Sequence, residues 1–183
     1  YIQSENYEIF LEKYQNAINN NEELGITEKH KLLSPILIDL DFRYKANGKL
    51  ERIYTDLMIE SFIEIYNNLI KDYLKIDKEY SFYIFEKTKP TYYKDTNDVG
   101  KDGIHIIIPE IVTKPSIQYL FRNKCIEIIK EQNLFDIFSN TVEDIFDEAV
   151  IEKNGWFMYK SKKPNSECYE VTKIYTNYNN GLI

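Results

Sequence analysis

Two carboxylates lie two positions apart behind a short apolar run, and they are the first residues of this sequence that could do chemistry. Asp39 and Asp41 follow Ile36-Leu37-Ile38. On a strand, residues two apart point to one face and lie about 6.5 to 7 Å apart along the backbone. Such a pair can hold Mg²⁺ or Mn²⁺, and two ions can clamp the attacking and leaving oxygens of a phosphoryl displacement. A solvated turn has the same spacing, so the pair alone does not decide between the two interpretations.

A histidine inside an apolar run is the second candidate. His105 interrupts the run Ile104–Ile108, where strand alternation puts it on the same face as Ile107. Two interpretations stay open. The ring is a satisfied core histidine, or it faces a site beside Lys101 and Gly103 and donates a hydrogen bond to a phosphate oxygen.

A third acid and a lysine-rich segment follow later in the chain. Asp147 precedes the apolar run 149–151, and the segment Lys160-Ser161-Lys162-Lys163 holds three lysines and a hydroxyl. A solvated surface is the common explanation of such a charge run. Lysines and a hydroxyl beside a metal-bound carboxylate are also what a triphosphate requires.

Composition limits the class of protein. The 183 residues are 43% hydrophobic and 15% aromatic, which suits one packed domain rather than a disordered chain. The formal charge of −7 has the opposite sign to the net positive charge that binding of nucleic acid over the whole surface would need. Any nucleic acid must therefore be held by a local patch. Two cysteines are too few for a disulfide framework or a four-Cys zinc site and are expected to be free thiols in a reducing compartment. No apolar run approaches the roughly 18 to 20 residues of a membrane span.

Hydrophobic periodicity predicts the elements that must position these residues. Helices are predicted over 7–18, 56–74, 115–129 and 142–146, and strands over 35–42, 80–85, 104–109, 148–151, 156–160 and 169–175. The core order is β-α-β-β-α-β, the split arrangement with an antiparallel sheet, both helices on one face and the other face free for a site. The predicted fold class is therefore α+β, with an N-terminal helical segment, 1–34, packed on a core over 35–183. Because the chain begins with Tyr1 and ends without a capping pattern, we expect a fragment of a longer protein.

Taken together and in order, the candidate segments resemble the archaeo-eukaryotic primase superfamily. The likeness is to the primase domains of large DNA viruses, the poxvirus-type primase-helicases, with the eukaryotic primase-polymerases as cousins. It covers roughly residues 35–175. The segments that carry it are Ile-Asp39-Leu-Asp41-Phe-Arg43, Lys101-Asp-Gly103-Ile-His105, Phe-Asp147-Glu-Ala-Val, and Asn154 followed by Tyr159-Lys160-Ser161-Lys162-Lys163.

The resemblance implies both a core topology and an activity. The core would be RRM-like, that is, of the RNA-recognition type, with additional C-terminal strands. The activity would be that of a DNA primase, which makes short primers on single-stranded DNA from nucleoside triphosphates during viral DNA replication. Asp39, Asp41 and Asp147 would hold two ions, Mg²⁺ or Mn²⁺, while His105 and Lys163 would contact the incoming triphosphate. Further candidates for the same phosphates are Arg43, Lys101, Ser161 and Lys162.

The resemblance also implies partners and a location. No Gly-x-x-x-x-Gly-Lys loop is present, so the helicase of such viral proteins is expected beyond Ile183. The protein is expected in the host-cell cytoplasm or at a viral replication site, without a membrane anchor. Gly103 departs from the pattern, because many members have a small hydroxyl residue two before the histidine. Gly155, Trp156 and Phe157 also depart from it, since they replace arginines that are common after the asparagine.

Two alternatives stay open. The run that ends in Asp39 and Asp41 also looks like the first motif of haloacid-dehalogenase-type phosphatases. That family expects Thr or Val where Tyr44 stands, and its doubly wound parallel sheet does not fit the predicted element order. The second alternative is a non-catalytic RRM-like module that only binds nucleic acid or a partner, and the intact set of three acids argues against it.

Overall fold

A six-stranded sheet with two long helices on one face forms the body of the protein. The computed structural model describes residues 2–94, 98–164, 166–178 and 181–182. Its helices are a 3₁₀ turn at Ser4–Asn6, α1 (Tyr7–Asn19), α2 (Asp56–Tyr73), α3 (Pro115–Glu131), α4 (Val142–Ile145) and α5 (Ala149–Glu152). Its strands are β1 (Thr27–Glu28), β2 (Ser34–Lys45), β3 (Tyr80–Lys87), β4 (Thr91–Tyr92), β5 (Val99–Thr113), β6 (Trp156–Phe157), β7 (Tyr169–Tyr178) and β8 (Gly181–Leu182).

The sheet runs in the order β2-β5-β3-β7-β8, and β4 pairs with the outer part of β5. Every strand pair in it is antiparallel. The path β2-α2-β3-β5-α3 follows the predicted βαββα order, and β7 and β8 are additional C-terminal strands. The predicted α+β class is confirmed. The parallel sheet of the phosphatase alternative is not what these strands form.

The outer edge of β2 is covered by a loop rather than by a full strand. In a split βαββαβ unit the last strand returns beside the first, and here residues 139–147 take that position. Phe146 makes a single antiparallel bridge with Leu40. The Ser139 N–H donates to the Arg43 carbonyl at 2.7 Å, and the Asp147 N–H donates to the Asp39 carbonyl at 3.0 Å. These bonds satisfy an edge that would otherwise be open.

Strand alternation separates the core from the opposite face of the sheet. Ile36, Ile38 and Leu40 on β2 are at most 2% exposed and lie in one cluster with Phe62 of α2 and Phe121 of α3. The residues between them on β2 face the other side, as the period of two requires. Both helices therefore pack on one face. Within the described residues, the opposite face carries a small buried cluster of Leu37, Val150, Ile151 and Trp156 at one end.

Two predicted strands near the C-terminus are corrected. The predicted strand over 148–151 is wrong, because Ala149–Glu152 is a helical turn whose Ala149 N–H donates to the Asp147 carboxylate. A three-residue apolar run does not distinguish a strand from a buried helical turn. The strand predicted over 156–160 ends at Phe157. Lys160 has a left-handed backbone with φ of 62°, which a strand does not accommodate.

The N-terminal segment contacts the body along residues 156–162. No residue of α1 is buried, and the Tyr14 hydroxyl donates to the Tyr159 carbonyl. Further along, Thr27 pairs with Phe157 in the small β1-β6 sheet. The predicted division at residue 34 stays a prediction. Within the described ranges, no helix is both long and apolar enough to cross a membrane.

Candidate active site

The register of β2 against β5 brings the predicted residues together on the face opposite the helices. Asp39 pairs with His105, Asp41 with Gly103, and Arg43 with Lys101. A cleft of about 450 Å³ opens over the first two pairs. Its other walls come from the segment after α5 and from the start of β7. Of the nine predicted site residues, eight line this cleft: Asp39, Asp41, Lys101, His105, Asp147, Ser161, Lys162 and Lys163.

The third acid reaches the cleft because the loop along β2 is held in register. The Arg122 guanidinium, buried on α3, donates to the Phe146 carbonyl at 2.7 Å and to the Glu143 carbonyl at 2.8 Å. The Asn140 side chain accepts from the Arg43 N–H and donates to the Asp41 carbonyl. These bonds fix the loop on both sides of the acid.

The three acids lie close enough to repel one another. Burial, followed by the charges of Asp41 and Asp147, raises the pKa of Asp39 well above its ordinary value. Asp39 Oδ1 is buried without a hydrogen-bond partner, and His105 Nε2 lies 3.5 Å from it. A carboxylate oxygen in that position is an acceptor that a cation would satisfy.

His105 is sandwiched between two aromatic rings. Its ring stacks on Tyr169 at 3.6 Å between centroids and lies 4.6 Å from the Trp156 ring. Burial and the positive charges of Lys87, Lys101 and Lys163 lower the pKa of His105 to about 3. The ring is therefore neutral near neutral pH, and it can donate one hydrogen bond. Both interpretations of His105 hold in part, because its ring is largely buried and also lines the cleft.

The predicted lysines differ in whether they are already paired. The Lys101 ammonium lies 2.8 Å from Asp41 Oδ2, and the Lys162 ammonium lies 3.0 Å from Glu23 Oε1. Lys163 lies on the cleft wall and is exposed, and no carboxylate of the described chain pairs with it. Lys163 is thus free to meet an anion, as the resemblance implies.

Two predicted residues have other contacts. Ser161 is 4% exposed, and its hydroxyl oxygen accepts from the Ile26 N–H at 3.2 Å, so it holds the N-terminal segment against the cleft wall. Arg43 does not line the main cleft. Its guanidinium lies 4.5 Å above the Tyr93 ring, and its side chain borders a second depression on the other side of Asp41.

Lys87 and Tyr169 are cleft residues that were not predicted as part of the site from the sequence. Lys87 was missed because the predicted strand stopped at Phe85, although continued alternation puts both on one face. Tyr169 was given no role, yet its hydroxyl fills the space at Gly103, where an added Cβ would lie 2.9 Å from the Tyr169 oxygen. The phenol thus stands beside Gly103, the position at which the motif resemblance implies a small hydroxyl residue.

The donor set fits a hard divalent cation, although the acids are not drawn together as a finished metal centre. In the part of the chain that the structure describes, no three His, Cys, Asp or Glu side chains form a group that could hold a metal ion. Asp41 is paired with Lys101, and Asp147 Oδ1 accepts from Ala149. The unpartnered oxygen of Asp39 and the oxygen chemistry of all three residues suit Mg²⁺ or Mn²⁺.

Comparison with known proteins decides the family. The family model described as "C962R protein N-terminal AEP domain", where AEP denotes archaeo-eukaryotic primase, matches residues 1–175. The chain belongs to this archaeo-eukaryotic primase family. The resemblance inferred from the motifs is confirmed.

Two viral proteins are similar to this primase-family domain. It is 39% identical over 178 residues to "Putative helicase L207/L206" of Acanthamoeba polyphaga mimivirus, which covers 94% of this chain and 18% of that protein. It is 24% identical over 186 residues to "Putative helicase 184R" of Invertebrate iridescent virus 6, which covers 90% of this chain and 19% of that protein. The chain thus spans less than a fifth of the length of the curated relatives it matches.

Proposed function

We propose that this domain is the catalytic domain of a DNA primase, which synthesises short primers on single-stranded DNA from nucleoside triphosphates. The observation that carries the proposal is the meeting of Asp39, Asp41 and Asp147 with His105 and several lysines in one cleft. Nucleotidyl transfer requires both kinds of side chain. Carboxylates hold the divalent ions, and cationic side chains bind the negative oxygens of the triphosphate.

Asp39, Asp41 and Asp147 are the residues that would hold two divalent ions, Mg²⁺ or Mn²⁺. When bound, such ions supply activation of the attacking 3′-hydroxyl and neutralisation of the departing pyrophosphate. To hold an ion, Asp41 would give up its ion pair with the Lys101 ammonium. The released lysine would then be available to the phosphates.

The other residues of the cleft would orient the nucleotide. His105 would donate a hydrogen bond from its neutral ring to a phosphate oxygen, and the Tyr169 and Trp156 rings hold that imidazole in place. Lys163, together with Lys101, would meet the negative charge of the triphosphate. Lys162 would also be available to the phosphates once it leaves the exposed Glu23 carboxylate. Ser161 would support the cleft wall through its bond with Ile26, and Arg43 would act from outside the main cleft.

The whole protein would combine this domain with a helicase. Both viral relatives have names that include helicase, and both are about five times as long as the matched region. We propose that a helicase region follows the primase domain and that the protein acts at the site of viral DNA replication inside the host cell. Single-stranded DNA is the proposed template.

The test is a gel assay for primers made from labelled nucleoside triphosphates on single-stranded DNA. The native chain should form dinucleotides and longer products only with added Mg²⁺ or Mn²⁺, and EDTA should abolish them. The double variant Asp39→Asn, Asp41→Asn should lose at least about 100-fold in rate. The control is Asp72→Asn, at an exposed position near the end of α2, which should keep native activity.

Two results would count against this proposal. If the double variant formed primers at the native rate, Asp39 and Asp41 would not be required for catalysis. A native chain that makes no primers even with Mn²⁺, and that binds no nucleoside triphosphate, would instead be the non-catalytic binding module.

A further inference from the structure

Lys87 lies on the floor of the cleft, at the end of β3. It pairs across the sheet with Tyr169 on β7. On its other side, β3 pairs with β5 up to Glu86 and Ile104, and continuing that register by one residue puts Lys87 opposite Gly103. The Arg52 guanidinium donates to the Lys87 carbonyl at 2.6 Å and holds the backbone at this point.

Among the described residues, Lys87 has no carboxylate partner, unlike two other lysines of the cleft. Lys101 and Lys162 each pair with a carboxylate. No carboxylate of the described residues lies within ion-pair distance of the Lys87 ammonium, which instead sits 5.0 Å from the centre of the Tyr169 ring. The cleft is lined by four lysines and four carboxylates, namely Lys87, Lys101, Lys162, Lys163, Asp39, Asp41, Asp147 and Glu167.

A partly buried ammonium with no counter-ion is an unfavourable arrangement unless something else uses it. Lysines are rarely buried without a partner, and they usually extend the ammonium into water. Burial and the charge of Lys101 lower the pKa of Lys87, although the nearby acids oppose this shift. The cation–π contact with Tyr169 offsets only part of the lost hydration.

We propose that Lys87 is a phosphate-binding residue. From the floor of the cleft it contacts the polyphosphate tail of the nucleotide, and Lys163 contacts the same tail from the cleft wall. The proposal rests on the proposed function for the identity of the ligand. Two observations carry it: no described carboxylate pairs with the Lys87 ammonium, and Lys87 lines the same cleft as the acids. A triphosphate has several negative oxygens, and two unpaired lysines in one cleft match a ligand of that charge.

The experiment measures binding of magnesium tripolyphosphate by isothermal titration calorimetry. Lys87→Met should weaken binding at least about tenfold, because a charge-assisted bond is lost. Lys87→Arg should stay within about threefold of the native affinity, since the cation is kept. Lys78→Met is the matched control, since Lys78 is exposed just before the same strand and should not affect binding.

Thermal unfolding of the same variants separates a binding role from a structural one. Lys87→Met should unfold at a temperature equal to or above the native one, because an uncompensated ammonium has been removed. Native affinity in Lys87→Met would overturn the proposal, as would Lys87→Arg binding as weakly as Lys87→Met. If Lys87→Met does not fold, Lys87→Gln takes its place, and native affinity in that variant would also overturn the proposal.

The two proposals fail in different ways. Tripolyphosphate binding requires neither template nor bond formation, so a chain that binds it through Lys87 but makes no primers would contradict only the primase proposal. Primer synthesis by Lys87→Met with an unchanged KM for nucleoside triphosphate would contradict only the role of Lys87.

Discussion

A missing side chain at Gly103 shapes the centre of the cleft. An added Cβ there would lie 2.9 Å from the Tyr169 hydroxyl, 3.0 Å from the Leu40 carbonyl and 3.4 Å from Asp41 Oδ1. The tyrosine side chain could move, but the strand carbonyl could not. Tyr169 in turn lies flat against His105. The glycine is therefore what lets the aromatic ring lie across the sheet beside the acids.

Gly103→Ala should destabilise the domain by about 1 to 3 kcal/mol, because the new methyl group overpacks a backbone contact. The free energy of unfolding in urea measures this. Gly25→Ala is the matched control, because its Cβ would meet only the Lys162 carbonyl at 3.7 Å, and it should change stability by less than about 0.5 kcal/mol. Equal stability of Gly103→Ala and the native chain would contradict this prediction and would mean that the strand backbone shifts to accommodate the methyl group.

At the scale of elements, a buried ion network holds the ends of three strands together on the helix side of the sheet. Glu86 of β3, 4% exposed, accepts from Tyr54 at 2.8 Å and from Lys173 of β7 at 3.1 Å, and also from Thr172. Arg52 bridges Glu86 to Asp102 of β5, with Nε 2.8 Å from Asp102 Oδ2. The network fixes the strand ends that carry Lys87, Lys101 and Tyr169 on the opposite face.

This network predicts a pH-dependent stability. Burial raises the pKa of Glu86, but the bonds from Thr172, Tyr54 and Lys173 outweigh it, so the pKa lies below its ordinary value of 4.5. A lowered folded-state pKa stabilises the protein above that value, and the stabilisation is lost as the pH falls through the folded pKa. Glu86→Gln should cost about 2 kcal/mol near pH 7. Its difference from the native chain should shrink as the pH falls below 4.5 and through the folded-state pKa.

Urea unfolding of both proteins at a series of pH values tests this. Glu64→Gln, at an exposed position of α2, is the control and should follow the native curve at every pH. If Glu86→Gln and the native chain differed by the same amount at all pH values, Glu86 would not be the titrating group.

At the scale of the whole molecule, the chain is acidic, and the four lysines of the cleft lie beside four carboxylates. The formal charge is −7, and two of the four lysines of the cleft are already paired with carboxylates. Long DNA would meet an acidic surface on most sides. A template is therefore expected to be held mainly by another part of a longer protein.

This charge distribution predicts weak binding of single-stranded DNA by the domain alone. The Kd should exceed about 10 µM near physiological salt and should weaken further as salt increases. Fluorescence anisotropy of a labelled oligonucleotide across a salt series measures both quantities. Tight binding that does not respond to salt would contradict the expectation and would point to stacking on exposed aromatic rings.

Local patterns in the sequence predicted the long helices and the central strands, and the motif resemblance predicted many of the residues that line the cleft. The 3,4 spacing of apolar residues predicted α2 and α3, and the period of two predicted that His105 and Ile107 share a face. Motif order predicted eight residues that the structure brings into one cleft. These features depend on residues close together in the chain, or on the order in which the motifs follow one another.

Contacts between distant segments decided the rest. The helical turn at 149–152, the position of Arg43 outside the cleft and the pairing of Lys101 with Asp41 each depend on neighbours far away in sequence. Lys87 and Tyr169 join the site only because β3 and β7 lie side by side. Strand pairing across about 80 residues has no local signature, because it is set by how the whole sheet buries its apolar face. Tertiary structure therefore determines which charges in the cleft are paired and which are left for a ligand.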